Sequence, residues 1–136
     1  MDIQFKVTPL AGRQTTGSGS KWEPKMGYSR AVRSGNFIAV SGTVGVNADG
    51  KYPHTLAEQT RRSLAIIQAA IESLGGKIQH VIRTRMFVTD ISKWEEVAGV
   101  HGEIFSEIRP ATAIIEVAKL IDSDALIEIE ADAVVP

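Results

Sequence analysis

The run Ile127-Glu128-Ile129-Glu130-Ala131-Asp132-Ala133-Val134 constrains this chain more than any other part of it. Successive side chains of a strand point to opposite faces, so Ile127, Ile129, Ala131 and Ala133 share one face. Glu128, Glu130 and Asp132 take the other, beside Val134. The same residues on a helix would scatter their charges around the axis. One side of this strand suits burial under other elements, and the other keeps a row of carboxylates. A sheet covered by helices on one side only is the layering that satisfies both.

Two helices are marked to supply that cover. Thr55 and Glu58 form a capping box, Leu64, Ile67, Ile71 and Leu74 recur at helical spacing, and Gly75-Gly76 supplies the stop. Ser92 with Glu95 repeats the box, Trp94, Val97, His101, Ile104 and Ile108 form an inner stripe, and Pro110 ends the second helix. Strands account for the rest. Residues 28–33 and 37–41 flank the turn Ser34-Gly35-Asn36. Residues 80–90 place Ile82, Thr84, Met86 and Val88 on one face and Arg83, Arg85 and Phe87 on the other. Residues 112–120 and 126–135 close the chain. The expected order is β-β-α-β-α-β-β with room for an extra N-terminal strand, an α+β fold whose mixed sheet carries two helices on one face. At 136 residues the chain fits one domain, 1–136, with no repeat or linker dividing it. Within the N-terminal segment 1–26, Thr15-Thr16-Gly17-Ser18-Gly19-Ser20 is polar and glycine-rich and reads as a mobile loop, either a connection or a flap over a site.

Charge and composition exclude several functions. Lys and Arg number 15 against 16 Asp and Glu, a net charge of -1 with the histidines neutral. The basic surplus that neutralises phosphates is missing, so nucleic-acid binding is not expected, and neither is electrostatic membrane anchoring. The absence of cysteine excludes disulfides, a thiolate nucleophile and a cysteine zinc site. The start of the chain lacks the basic-then-apolar layout of a secretory signal, and no run approaches the roughly 18 apolar residues of a membrane span. A cytoplasmic location is the default expectation.

Candidate chemistry gathers on the open face, which this reading completes with Thr112, Ile114, Glu116 and Ala118. Such a face either stays solvated or packs against a copy of itself, with carboxylates lining clefts between subunits. Glu128, between isoleucines on a central strand, is a water-holding base if partly desolvated, or else a strand carboxylate paired with Arg83 or Arg85. His101 on the apolar stripe is a buried structural histidine or a general base. Ser41 has no identifiable base to activate it; the backbone amides of Ser41, Gly42 and Thr43 are candidates to hold a carbonyl or carboxylate. His54, His80 and His101 do not fall at metal-ligand spacing, and no metal site is expected. No glycine motif for phosphates or dinucleotides and no nucleophile elbow is present.

The blocks Ile38-Ala39-Val40-Ser41-Gly42-Thr43, Phe87-Val88-Thr89-Asp90, Pro110-Ala111-Thr112, Glu116-Val117-Ala118-Lys119-Leu120 and Ile127-Glu128-Ile129-Glu130-Ala131 together resemble the RidA (YjgF-type, endoribonuclease L-PSP-like) family. The likeness runs from about Gly27 to Val134. It implies a chorismate-mutase-like α+β layer and a homotrimer whose sheets meet in a central barrel, with a small-molecule ligand in each inter-subunit cleft. It also implies cofactor-free hydrolysis of 2-imino and enamino acids to 2-keto acids and ammonia. Tyr28 matches the family's cleft tyrosine, Ser41-Gly42 the strand end at the pocket, and Glu128 the glutamate that positions water. Ile114 and His101 are expected at the same cleft. The arginine that clamps the substrate carboxylate falls at Thr112, and an asparagine often found on the second helix falls at Ala98. Threonine's single hydroxyl does not reproduce a guanidinium's paired, charge-assisted bonds. The resemblance therefore points to an arginine-lacking branch: a small-molecule-binding cleft with a changed ligand, a specialised hydrolase or a binder. The alternatives are a working imine or enamine deaminase with Arg109 or a neighbour as substitute clamp and, further off, an endoribonuclease or translation inhibitor.

Overall fold

Burial follows the alternation of the last strand: Ile127, Ile129, Ala131 and Ala133 are wholly buried, whereas Glu128, Glu130 and Asp132 are only half-buried. In the computed structural model, which describes residues 2–136, this strand is β7 (Ile127–Val134). The others are β1 (Lys6–Leu10), β2 (Arg13–Gly17), β3 (Ala31–Ser34), β4 (Phe37–Val44), β5 (Val81–Val88) and β6 (Ala111–Glu116). They form one sheet in the order β1-β2-β3-β4-β7-β5-β6. Only β5 and β6 pair in parallel, which requires a crossover between them. That crossover contains α3 (Trp94–Phe105), which packs beside α2 (Leu56–Ser73), and α2 lies across β4 and β7. The α+β fold, with its mixed sheet and two helices on one face, is as the sequence predicts.

The core lies between α2 and the sheet. Leu64, Ile67 and Ile71 meet Ile38, Ile127 and Ile129, all at most 1% exposed. Burial of each such side chain contributes on the order of 1.5–3 kcal/mol. Polar ties hold α2 in place at the end of the sheet nearest Glu128. The Gln59 side chain donates to the carbonyls of Pro53 and Asp124, both at 3.0 Å, and accepts the Leu126 amide at 2.8 Å. The buried Ser63 hydroxyl donates to the Thr43 carbonyl at 2.7 Å. Gly45 permits this approach, because a Cβ there would stand 2.2 Å from the Gln59 carbonyl oxygen.

Five sequence expectations need correction. Residues 15–20 are not wholly a loop: β1 and β2 add two N-terminal strands, and Thr15 and Thr16 are buried in the sheet. The register Thr16↔Ala31 explains this, since tertiary pairing overrides the weak strand preference of a polar Thr-Gly tract. A short third helix, α1 (Trp22–Met26), follows. The Thr55 hydroxyl caps α2 through the Glu58 amide at 3.1 Å, but Ser92 does not cap α3: Asp90 caps a preceding 3₁₀ turn by accepting the Ser92 amide, and Lys93 precedes α3. The inner stripe of α3 keeps Val97, with Ile104 and Ile108 packed against the core, but it gains the buried Val100 and Phe105 and loses Trp94, which is 51% exposed. A bulge between Val81 and Arg83 in the β5–β7 pairing turns Ile82 outward.

The fifth correction bears on function. Strand β6 stops at Glu116, not Leu120, and its register with β5 is Thr84↔Thr112 and Met86↔Ile114. Paired residues share a face, and Thr84 and Met86 are buried toward the helices. Thr112 and Ile114 therefore lie on the helix face. Ala111, Ala113 and Ile115 occupy the open face.

Candidate functional site

The expected site residues divide into two clusters on opposite faces of the sheet, with β5 between β6 and β7. The first is built where β3, β4 and β7 meet. Counting back from the Gly35-Asn36 reversal, Ala31 pairs with Val40, so Arg30 stands across from Ser41. Ala31 is buried under the helices, and alternation sends the Arg30 side chain to the open face. There its Nη2 donates to the Gly42 carbonyl at 2.8 Å, and its guanidinium carbon sits 5.6 Å from the centre of the Tyr28 ring. Gly42 lies in a bulge between Val40 and Thr43, opposite β7. A Cβ on it would come within 2.8 Å of the Glu128 carboxyl carbon and Oε2. Glycine here clears the space that the Glu128 head group fills.

Burial dominates the electrostatics of Glu128. Burial raises the Glu128 pKa above its ordinary value; Arg30 pulls it back and Glu130 adds to the rise. Among the described residues Glu128 forms no ion pair. Arg85 is instead shared by Asp132 at 3.3 Å and Glu130 at 3.7 Å, so the pairing with Arg83 or Arg85 expected for Glu128 is not made. Tyr52 borders the same region: its phenol is pushed up to about 12, first by burial and then by Asp122, Asp124 and Glu128. Ser41 is committed elsewhere. Its hydroxyl donates to the Ser29 carbonyl at 2.6 Å and its amide to the Arg30 carbonyl at 3.0 Å, so neither is free to hold a ligand.

The second cluster lies on the helix side of β6. The wholly buried Thr84 hydroxyl is 2.6 Å from that of Thr112 and 2.9 Å from Nε2 of His101, with Thr112 and His101 3.5 Å apart. His101 also stacks on Phe105, with ring centres 4.5 Å apart. Burial lowers its pKa, which keeps the imidazole neutral and able to accept from a hydroxyl. Thr112 is exposed at the sheet edge, and Ile114 packs against the core. Arg109 stands apart from both clusters. It lies in the turn after α3 in a left-handed conformation (φ 54°), its amide donates to the Phe105 carbonyl at 2.8 Å, and its exposed side chain forms no hydrogen bond among the described residues.

Arg30 and Tyr52 escaped the sequence reading. A signal for Arg30 existed, because the hairpin register counted from Gly35-Asn36 puts it beside Ser41-Gly42. None existed for Tyr52, whose position depends on loops that Gln59 ties together. A concavity of about 280 Å³ lies beside Tyr28, walled by Thr8, Thr15, Glu23 and Ser29. A larger one, about 440 Å³, runs under the β1–β2 hairpin and touches neither cluster. Among the described residues, no three His, Asp or Glu side chains converge as a metal cage, and no helix is long and apolar enough to cross a membrane.

Comparison with known proteins adds the following. Residues 19–135 match the family model described as Endoribonuclease L-PSP. The crystal structure of Rv2704 from Mycobacterium tuberculosis, described as a member of the YjgF/YER057c/UK114 family, is 46% identical and superposes with a TM-score of 0.84 over 90% of this chain and 99% of that one. The 2-iminobutanoate/2-iminopropanoate deaminase of Escherichia coli K12 is 37% identical over 111 residues, which is 79% of this chain and 86% of that protein. The structure of E. coli TdcF with bound serine is 28% identical, with a TM-score of 0.75 over 80% of this chain and 88% of that one.

Proposed function

We propose a function from one premise: this chain belongs to the endoribonuclease L-PSP family, the family of YjgF and RidA. The protein assembles as a homotrimer through the open sheet face and forms, between copies, small-molecule pockets in which a C=N bond is hydrolysed without a cofactor. The observation that carries this reading is Glu128: a half-buried carboxyl with a raised pKa, in a space that Gly42 clears for it, on a face the fold leaves uncovered. A carboxylate whose proton affinity is raised by burial is a stronger base than one in water, and it can take a proton from water and return it within the same turnover. In the proposed reaction Glu128 takes a proton as water adds to the imine carbon. The protonated carboxyl returns that proton to nitrogen, which gives a carbinolamine; Glu128 then takes the carbinolamine hydroxyl proton as the C=O bond forms and passes it to nitrogen as the C–N bond breaks, so that ammonia leaves and the carboxylate is restored.

The division into two clusters supports the need for a second copy. Thr112 and Glu128 of one chain lie on opposite faces, so a small ligand meeting both needs the edge strand β6 of one copy set against the Glu128 face of another. Phe37 and Ile115 expose 41% and 47% of their surface on that face, an apolar area suited to such a contact. The likeness to the E. coli deaminase supports imine chemistry in general terms. Thr112 at the expected clamp position argues for a substrate other than the simplest 2-imino acids. A nuclease is disfavoured by the net charge of -1 and the acidic row on the open face.

Two measurements test this. Light scattering after size exclusion gives the mass of three copies; a clean 14.7 kDa monomer removes the inter-copy pocket. Purified protein added to dehydratase-generated imines, from 2-aminoacrylate to bulkier and less acidic ones, accelerates ammonia release for at least one. No acceleration over the spontaneous rate for any of them removes the hydrolase.

A further inference from the structure

We infer that Arg30 is the anion anchor of the Glu128 pocket and that the natural ligand carries a carboxylate held from this wall and not from the Thr112 wall. The inference deepens the proposed function and rests on it for the existence of the pocket.

The other arginines with part of their side chain out of water have found partners. Arg62 makes a two-pronged pair with Asp2, both bonds at 2.9 Å. Arg85 is shared by Glu130 and Asp132. Arg33 donates to the carbonyls of Gly35 at 2.9 Å and Leu74 at 2.7 Å. Arg30 is the exception. Of its five N–H donors, the one at Nη2 that meets the Gly42 carbonyl is engaged, and Nε is buried with no partner. Burial pulls its pKa down, in keeping with a charge held largely out of water. A guanidinium in that position calls for a counter-anion.

Both nearby carboxylates, Glu23 and Glu128, attract Arg30, but neither closes an ion pair with it. Glu23, itself buried, accepts the Ser18 amide at 3.2 Å on each oxygen, the Ser20 amide at 3.4 Å and the Ser18 hydroxyl. Glu128 stays outside ion-pair distance, and its pKa rises because burial outweighs the attraction of Arg30. A pair built for its own sake would have closed and drawn that pKa down. The Gly42 carbonyl and the Tyr28 ring hold the guanidinium in place with donors to spare. A planar fork with free donors matches a carboxylate.

The test is a calorimetric titration of the full chain, as it assembles, with pyruvate and with its uncharged amide. Pyruvate is expected to bind at least about thirty-fold more tightly than the amide, and Arg30→Gln to weaken pyruvate by a similar factor or more while leaving the amide unchanged. Arg30→Lys keeps the charge without the fork and falls between. Arg61→Gln, which removes an exposed cation from α2, changes nothing. Size exclusion confirms that each variant assembles like the parent, and Arg30→Lys carries the test if Arg30→Gln does not. Equal binding of acid and amide, undiminished pyruvate binding by the variants, or no pyruvate binding at all overturns the inference. Charge-dependent binding without hydrolysis of any imine leaves the anchor standing and removes the proposed chemistry. Hydrolysis with kcat/KM unchanged in Arg30→Gln does the reverse.

Discussion

On β7, Ile127, Ile129, Ala131 and Ala133 are wholly buried, while Glu128, Glu130 and Asp132, each next to one of them in sequence, keep part of their surface in water. The helix face is complete within one chain: α2 and α3 cover it, and its buried hydroxyls and amides have partners. The open face is incomplete. It holds the carboxyl with a raised pKa, the guanidinium without an anion and exposed aromatic and aliphatic groups. Adjacent residues of one strand thus differ in kind: one side is committed to the core of its own chain, and the other is the side on which ligand and partner are proposed. Where polar groups are left unsatisfied is the better guide to function.

The comparison is broken or sharpened by a graded set of variants. Glu128→Gln should lower imine hydrolysis by about 10²–10⁴-fold while the protein stays folded, because it removes proton transfer and little volume. Activity close to the parent's would end the assignment of function to the open face. Ile129→Ala should cost about 2–5 kcal/mol in urea unfolding, since it empties a wholly buried site. Ile115→Ala, on the open side, should cost under about 0.5 kcal/mol in the dissociated chain but weaken self-association. Equal unfolding costs for the two would mean that both faces act as core. Thr84→Val should cost about 1–3 kcal/mol, because the lost hydroxyl serves both His101 and Thr112 inside the protein.

The smallest effect is the most diagnostic: the two faces should respond to pH with opposite sign. Burial lowers the folded-state pKa of His101 below 6.5, so the unfolded chain takes up the proton first and stability falls as pH drops through 6.5. The folded-state pKa of Glu128 lies above 4.5, so the folded chain takes up the proton first. Stability from that group rises as pH drops through its folded value toward 4.5 and is lost again on going up. Melting temperatures across pH should show the first slope flattened in His101→Gln and the second in Glu128→Gln. Slopes unchanged in both variants would assign the pH response to other groups.

Much of the architecture was legible before any coordinates. Strand β7 was readable because alternation of isoleucine with glutamate has one geometric solution, and α2 because Thr55, the apolar spacing and Gly75-Gly76 agree with one another. The failures share a cause. Thr15 and Thr16 looked like loop because their burial depends on β3, remote in sequence. Ser92 looked like a cap from its spacing to Glu95, but its amide and hydroxyl both donate to Asp90, two residues earlier. The site was half legible. Gly42 does lie beside Glu128, and Tyr28 is joined to them through Arg30, whereas Thr112 and Ile114 were assigned to the wrong face. A single-residue change of register reverses every side chain of a strand, and the β5–β6 register is set by a crossover helix, not by a short turn.

By itself the amino-acid sequence determined the layering: which strand is central, where the long helices lie and which side of the sheet they cover. Local periodicity and turn chemistry decide these, and they act over a few residues. Only the tertiary structure decided which polar groups meet: Arg30 with Gly42 near Glu128, Thr84 with His101 and Thr112, Gln59 with the loops around Tyr52. Those meetings depend on strand register and helix placement summed over distant segments. Hydrogen bonds and desolvation change over an ångström or two, a distance that periodicity does not resolve.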